Sequence, residues 1–193
     1  CTTECFLDGY AIADKSIPLE TYRAPGEPIP DGPWYKKLAS LADELDIHLV
    51  AGLTEADNEL RYNVAVLIGP DGSLIGKYRK HRLQHELVRN TPGNSTPSFI
   101  TPRARIGMFI CADRREPQLV SAICRDGADF LLCPSGGMFG PARNDAFLQD
   151  RSRENGKWIV FVHPAEFLVT DPSGTIQSRT LLGDKLFVLP HEV

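Results

Sequence analysis

The sequence has little that would suit it to nucleic acid, membranes or secretion. Its 193 residues carry 21 Lys and Arg against 25 Asp and Glu, so no cationic surplus exists to meet phosphate or anionic lipid. No apolar run approaches the length of a membrane span, and no signal-peptide pattern opens the chain. Cysteine is sparse and odd in number: Cys1, Cys5, Cys111, Cys124 and Cys133, none in CxxC spacing. That excludes the common zinc frameworks and fits a reducing compartment better than a disulfide scaffold. Internal repeats and low-complexity tracts are also lacking. These absences leave a cytoplasmic globular protein, with neither nucleic acid nor membrane as partner, expected to form a single domain over 1–193.

What is present reads as strands and helices in mixed order. Thr2 to Tyr10 is a short apolar segment holding one acid, Glu4, and Ile17 to Pro33 is a Pro/Gly-rich connection. Pro33 opens a helix in which Leu38, Leu41, Ala42 and Leu45 recur at helical spacing. Ile47 to Leu53 reads as a buried strand that includes His48, a core histidine in that setting. Arg61 to Ile68 and Leu74 to Arg79 flank the turn Gly69-Pro-Asp-Gly72, which predicts a hairpin. Lys80 to Gly93 reads as an irregular charged loop. Further on come a strand at Ile106 to Ile110, a helix at Gln118 to Arg125, a strand at Ala128 to Cys133 and a helix ending near Asn155. Trp158 to Val162 is a buried strand, a second hairpin surrounds Asp171-Pro-Ser-Gly174, and Lys185 to Leu189 is expected to be the last strand. Two hairpins interrupting the strand–helix alternation exclude a purely parallel repeat and point to packed sheets with helices outside.

The chemistry concentrates around Arg105-Ile-Gly-Met-Phe-Ile-Cys111-Ala-Asp-Arg-Arg-Glu-Pro117. Gly107 permits close backbone approach, and the apolar strand breaks into polar sequence at Cys111. A cysteine held at such a corner suits a nucleophile, against the plainer reading of one more small buried residue. A nucleophile needs a base and an oxyanion stabiliser. Glu4, Glu86, Asp113, Glu116 and the histidines are candidate bases. Glu4 stands out as a carboxylate in an apolar segment, where burial would raise its pKa and suit it to proton transfer, although a half-exposed strand-end acid fits equally well. Lys80 lies in the run Arg79-Lys-His-Arg82, and such a run is more often a solvated or substrate-facing edge than a catalytic lysine. His163, closing Trp158 to Val162, makes a Cys/His pair a competing assignment.

Taken together, Glu4 in Thr-Glu-Cys-Phe-Leu-Asp-Gly-Tyr10, Lys80 in Gly76-Lys-Tyr-Arg-Lys-His-Arg-Leu83 and Cys111 in Ile110-Cys-Ala-Asp-Arg-Arg-Glu-Pro117 resemble the nitrilase superfamily. The hairpin at Tyr62-Asn63, Gly127-Ala-Asp129, Pro134-Ser135 and Arg153-Glu-Asn155 resemble it too, so the likeness covers nearly the whole chain. It implies an α+β fold, a four-layer αββα sandwich of two packed sheets with helices outside. It implies a hydrolase cleaving a non-peptide carbon–nitrogen bond of a small amide, N-carbamoyl compound or nitrile through a cysteine thioester. Glu4 would be the base, Lys80 and the Ala112 N–H the oxyanion holders, Cys111 the nucleophile, and Glu86 the second glutamate near the triad. Arg115, Ser135 and Gly136 would shape the substrate pocket, with Arg114 and Glu166 further candidates for reading a polar substrate end. No metal and no organic cofactor are implied, and a homo-oligomer, dimer or larger, is.

Departures fall around the triad rather than on it. The strand and helix usual before the glutamate segment are not in this sequence. Thr3 stands where a proline is usual, Arg82 where a histidine is, Glu116 where an apolar residue is, and Gln118 where a glutamate is. Two readings from other classes stand beside the hydrolase: an N-terminal-nucleophile hydrolase using Cys1, and a nitrilase-type fold kept as an inactive scaffold.

Overall fold

The computed structural model describes residues 1–7, 16–18, 20–21, 26–137 and 140–181. The chain forms two compact units, Cys1–Ser95 and Thr96–Val193. The class is α+β with two sheets, as expected.

The first unit is built on an antiparallel sheet of β1 (Leu49–Asp57), β2 (Leu60–Ile68) and β3 (Leu74–Arg79), in that order. Helix α1 (Pro33–Glu44) covers one face. Its start lacks a capping side chain at Gly32, and the remote Glu27 carboxylate takes that role, accepting the Trp34 and Tyr35 N–H groups at 3.0 and 2.6 Å. Tyr35, Leu38 and Ala42 are buried against Leu49, Ala51, Leu53, Val64, Val66 and Ile68. Alternation then sends Gly52, Asn63, Ala65 and Leu67 to the opposite face. Leu41 and Leu45 are exposed, so the buried stripe is narrower than the apolar spacing suggests. The strand predicted at Ile47 begins at Leu49, and His48 is exposed rather than in the core, because the chain has not yet joined the ladder there. The hairpin at Gly69–Gly72 is as predicted, with the Asp71 carboxylate accepting the Ser73 N–H at 3.0 Å. The loop after Lys80 contains one 3₁₀ turn, His85–Val88.

The second unit is a six-stranded sheet ordered β4 (Ser98–Ile100), β5 (Arg105–Met108), β6 (Phe130–Pro134), β7 (Trp158–His163), β8 (Glu166–Thr170) and β9 (Ile176–Leu181). Strands β5, β6 and β7 are parallel, and antiparallel neighbours flank them. Helix α2 (Pro117–Arg125) links β5 to β6, and α3 (Pro141–Asn155) links β6 to β7. Gly107 is needed as predicted, although by side chains: a Cβ there would press on Leu131, Ile123 and Ala128. The three-residue strand β4 has no sequence signature and exists through its pairing with β5. The strand expected at Lys185 to Leu189 lies outside the described residues. Because β5, β6 and β7 run parallel, their C-terminal ends bring Cys111, Ser135 to Gly137 and His163 to the same end of the sheet.

Candidate active site

In the first unit a buried charge cluster forms on the sheet face away from α1. The segment Thr2 to Phe6 does not join the ladder. It runs along β1 through Thr2 N–H to Val50 O and Phe6 N–H to Gly52 O, both 2.9 Å. Gly52 makes room for it, since a Cβ would overlap the Thr3 carbonyl and stand 2.8 Å from the Cys5 nitrogen. This seats Glu4 beside Asn63 and Lys80, which are neighbours because the Lys80 N–H donates to Asn63 O at 2.9 Å just beyond the β2–β3 ladder. The Lys80 ammonium donates to Glu4 Oε1 at 2.6 Å and also to Glu86 Oε1. Asn63 Nδ2 donates to Glu4 Oε1 at 2.7 Å and to Glu86 Oε2 at 3.1 Å. Asn90 adds a bond to Glu86 Oε2 at 3.4 Å. All five side chains are buried.

One lysine cannot neutralise two carboxylates, so the cluster favours holding an extra proton. Burial pushes the Glu4 carboxyl above its ordinary range; the Lys80 charge opposes this and the Glu86 charge adds to it. A carboxyl whose hold on a proton is strengthened in this way is suited to proton transfer. The run Arg79 to Arg82 is therefore not a solvated edge. Lys80 is 1% exposed, Arg79 pairs with Glu55 and Asp57 and lies over the Tyr62 ring, and His81 stacks on Tyr78. Each of these three side chains has an acid or a ring beside it.

In the second unit Cys111 opens the 3₁₀ turn Cys111–Arg115 directly after β5. It adopts φ +48°, a left-handed conformation that L side chains rarely take. The turn is held by the buried Asp113, whose carboxylate accepts the Ile110 N–H at 3.0 Å, and by the Asp113 N–H donating to Ile110 O at 3.0 Å. The Cys111 thiol donates to Gly137 O at 3.4 Å. The Arg114 guanidinium donates from Nη1 to the Cys111 sulfur at 3.4 Å and from Nη2 to Gly137 O at 3.2 Å.

The structure thus gathers Glu4, Lys80 and Glu86 in one unit, and Cys111, Ala112, Arg115, Ser135 and Gly136 around the strand ends of the other. Ala112 is buried in the first turn after the cysteine, and Arg115 is half-buried. Ser135 is buried with its N–H on Val162 O at 2.8 Å and its hydroxyl 3.5 Å from Cys133. Glu166 is buried and paired with Arg179. His163 accepts the Ala165 N–H at 3.0 Å, bonds the Gly136 backbone and stacks on Phe161, so its ring is engaged by backbone groups and a neighbouring ring. Burial, followed by the Arg114 charge, holds its pKa below the usual imidazole range. Asn63 is a further residue of the site; the sequence marks it only as part of a hairpin, although a polar amide opening an apolar run gives the same signal as Glu4. Arg114, a candidate for reading a polar substrate end, sets its guanidinium against the sulfur.

The carbon–nitrogen hydrolase family model matches residues 2–182. This chain belongs to that family. Among curated proteins it is similar to omega-amidase NIT2 of Homo sapiens, at 32% identity over 177 residues covering 84% of this chain and 60% of the relative. It is also similar to nitrilase 3 of Arabidopsis thaliana, at 32% identity over 120 residues covering 61% of this chain and 34% of that protein. The chain thus spans about 60% of the length of the omega-amidases it matches. Among solved structures, Nit3 of Saccharomyces cerevisiae, a member of branch 10 of the nitrilase superfamily, superposes with TM-score 0.82 at 26% identity, covering 95% of this chain and 72% of that one. The amidase NitN of Nesterenkonia sp. AN1 gives TM-score 0.77 at 22% identity over 94% of this chain and 74% of that one, a likeness of fold. The fold class and superfamily are those expected from the sequence.

Proposed function

We propose that this chain carries the active site of an amidase that hydrolyses the carbon–nitrogen bond of a small amide through a thioester on Cys111, its two units acting as one catalytic domain. The observation that carries the reading is the Cys111 corner, where a cysteine sits in a strained left-handed conformation with its sulfur engaged by a guanidinium. Membership of the family supports the reaction class, and the omega-amidases among the relatives favour an amide over a nitrile.

In this reading Glu4 takes the thiol proton, and the thiolate attacks the amide carbon. The carbonyl oxygen becomes an oxyanion held by Lys80 and the Ala112 N–H. Collapse breaks the carbon–nitrogen bond as Glu4 returns the proton to the departing amine. Water then adds to the thioester, giving a proton to Glu4, and the thiolate leaves as the acid forms. Glu86 helps to keep Lys80 in place and Glu4 ready for proton transfer. Arg115, Ser135 and Gly136 line the acyl side. The reading carries with it a small-molecule substrate, no cofactor, a homo-oligomer and a cytoplasmic location.

The test is ammonia release from a panel of short amides, N-carbamoyl compounds and nitriles, beside Cys111→Ala. Release from the amides that falls by at least about a thousandfold in the variant is expected. Release that survives Cys111→Ala would transfer the role to another nucleophile, with Cys1 the first to check. Silence across the panel would favour the inactive scaffold.

A further inference from the structure

We infer that Arg114 is a catalytic residue whose guanidinium holds the sulfur of Cys111 as the thiolate. The inference rests on Cys111 being the nucleophile proposed above. Arg114 is 0% exposed, and a cation that is fully buried requires anionic or strongly polar company. Its fork meets two atoms, the Cys111 sulfur through Nη1 at 3.4 Å and the Gly137 carbonyl through Nη2 at 3.2 Å. Its place is fixed from other directions. The guanidinium carbon lies 5.6 Å from the centre of the Phe161 ring, and Phe161 is stacked in turn by His163. Arg151 Nη1 donates to the Arg114 carbonyl at 3.5 Å from helix α3.

Other charged and titratable groups stand around this contact. Asp113 directs a carboxylate oxygen at the Ile110 N–H at 3.0 Å. Arg151 is bound to Glu154 at 2.6 Å. Burial, followed by the Arg114 charge, lowers the His163 pKa, and burial pushes the Cys133 thiol up to about 12.

The geometry explains how one group serves both halves of the reaction. In the thiol, S–H donates to Gly137 O while Nη1–H donates to a sulfur lone pair. When the S–H bond breaks and the proton passes to the Glu4 carboxylate, Gly137 O keeps its Nη2 donor and the Nη1–H···S contact becomes charge-assisted. Arg114 gives up no proton at any step. As the carbon–sulfur bond forms, charge leaves sulfur for the substrate oxygen and the Arg114 bond weakens. It strengthens again when the thioester breaks and sulfur departs as thiolate.

The experiment is pH-resolved alkylation with iodoacetamide on the whole chain, mapped by peptide mass to Cys111, with the exposed Cys1 as internal reference. In the parent the Cys111 rate at pH 7 is expected to lie within about threefold of that at pH 9, the signature of a thiol already ionised near neutrality. In Arg114→Met the pH 7 rate should fall about tenfold or more while the pH 9 rate holds. Arg114→Lys, which keeps a cation but loses the fork, should lie between, and it carries the test if the Met variant does not fold. Profiles unchanged in both variants would overturn the role of Arg114 while leaving Cys111 as nucleophile. A parent Cys111 no more reactive at pH 7 than Cys1, or turnover surviving Cys111→Ala, would overturn both.

Discussion

The two units bury charge for opposite ends. In Cys1–Ser95 a lysine is shared by two carboxylates and an asparagine amide links the same two acids, so the surplus is negative and is met by keeping a proton. In Thr96–Val193 the side chain on the cysteine sulfur is a guanidinium, which in the proposed mechanism favours loss of the thiol proton. One cluster is built to hold hydrogen and the other to let it go. The contrast teaches that burial alone fixes no role. Desolvation acts on Glu4 and on Cys133 in the same direction, and the neighbouring charges decide which of these groups becomes useful.

The hardest blow to this contrast is Lys80→Met. It leaves two carboxylates buried without their cation and should destabilise the chain by about 3–5 kcal/mol as well as abolish turnover. A urea midpoint that barely moves would show that the lysine does not hold the cluster together. Next comes Gly52→Ala, whose added methyl group must push the Thr3–Cys5 backbone off β1. A loss of about 1–3 kcal/mol is expected, with turnover falling further than stability because Glu4 is displaced. Comparing kcat with the unfolding free energy checks this, and equal losses would mean that Glu4 has no role in turnover.

A finer test is the pH dependence of Glu4→Gln. The folded-state pKa of Glu4 is raised, so the parent draws stability from its protonated form below the unfolded value of 4.5 and loses it as pH rises through the folded value. Glutamine has no proton to lose. The unfolding free energy of the variant relative to the parent should therefore climb with pH above 4.5 and then level off, and a flat difference contradicts the raised pKa. Smallest is Glu27→Gln, which weakens the α1 cap by about 0.5–1 kcal/mol with turnover unchanged. A drop in turnover there would show that buried carboxylates of this unit are not separable into structural and functional ones.

Much of this was legible in the chain because the signals are local. The Gly69–Gly72 and Asp171–Gly174 turns bond within themselves, so a few residues suffice to predict them. Glu4, Lys80 and Cys111 stood out through their motif contexts and order. What escaped depends on partners distant in sequence. Asn63 bridges Glu4 and Glu86 because strand register sets it beside Lys80, and register is a property of three strands together. Arg114 turns toward sulfur because Phe161 and Gly137 direct it there, both far along the chain. His48 misled for the reverse reason: its neighbours are strand residues, and it lies one step outside the ladder.

The left-handed backbone at Cys111 has a consequence for selection. Glycine adopts that conformation without steric penalty and would relieve strain of order 1 kcal/mol, but Cys111→Gly also takes from the buried Arg114 the sulfur that its guanidinium bonds. The backbone gain is therefore set against a buried charge that loses an acceptor, and the second effect is the larger. Selection for heat tolerance alone would not carry the corner to glycine in one step, so a laboratory lineage would have to replace the guanidinium first.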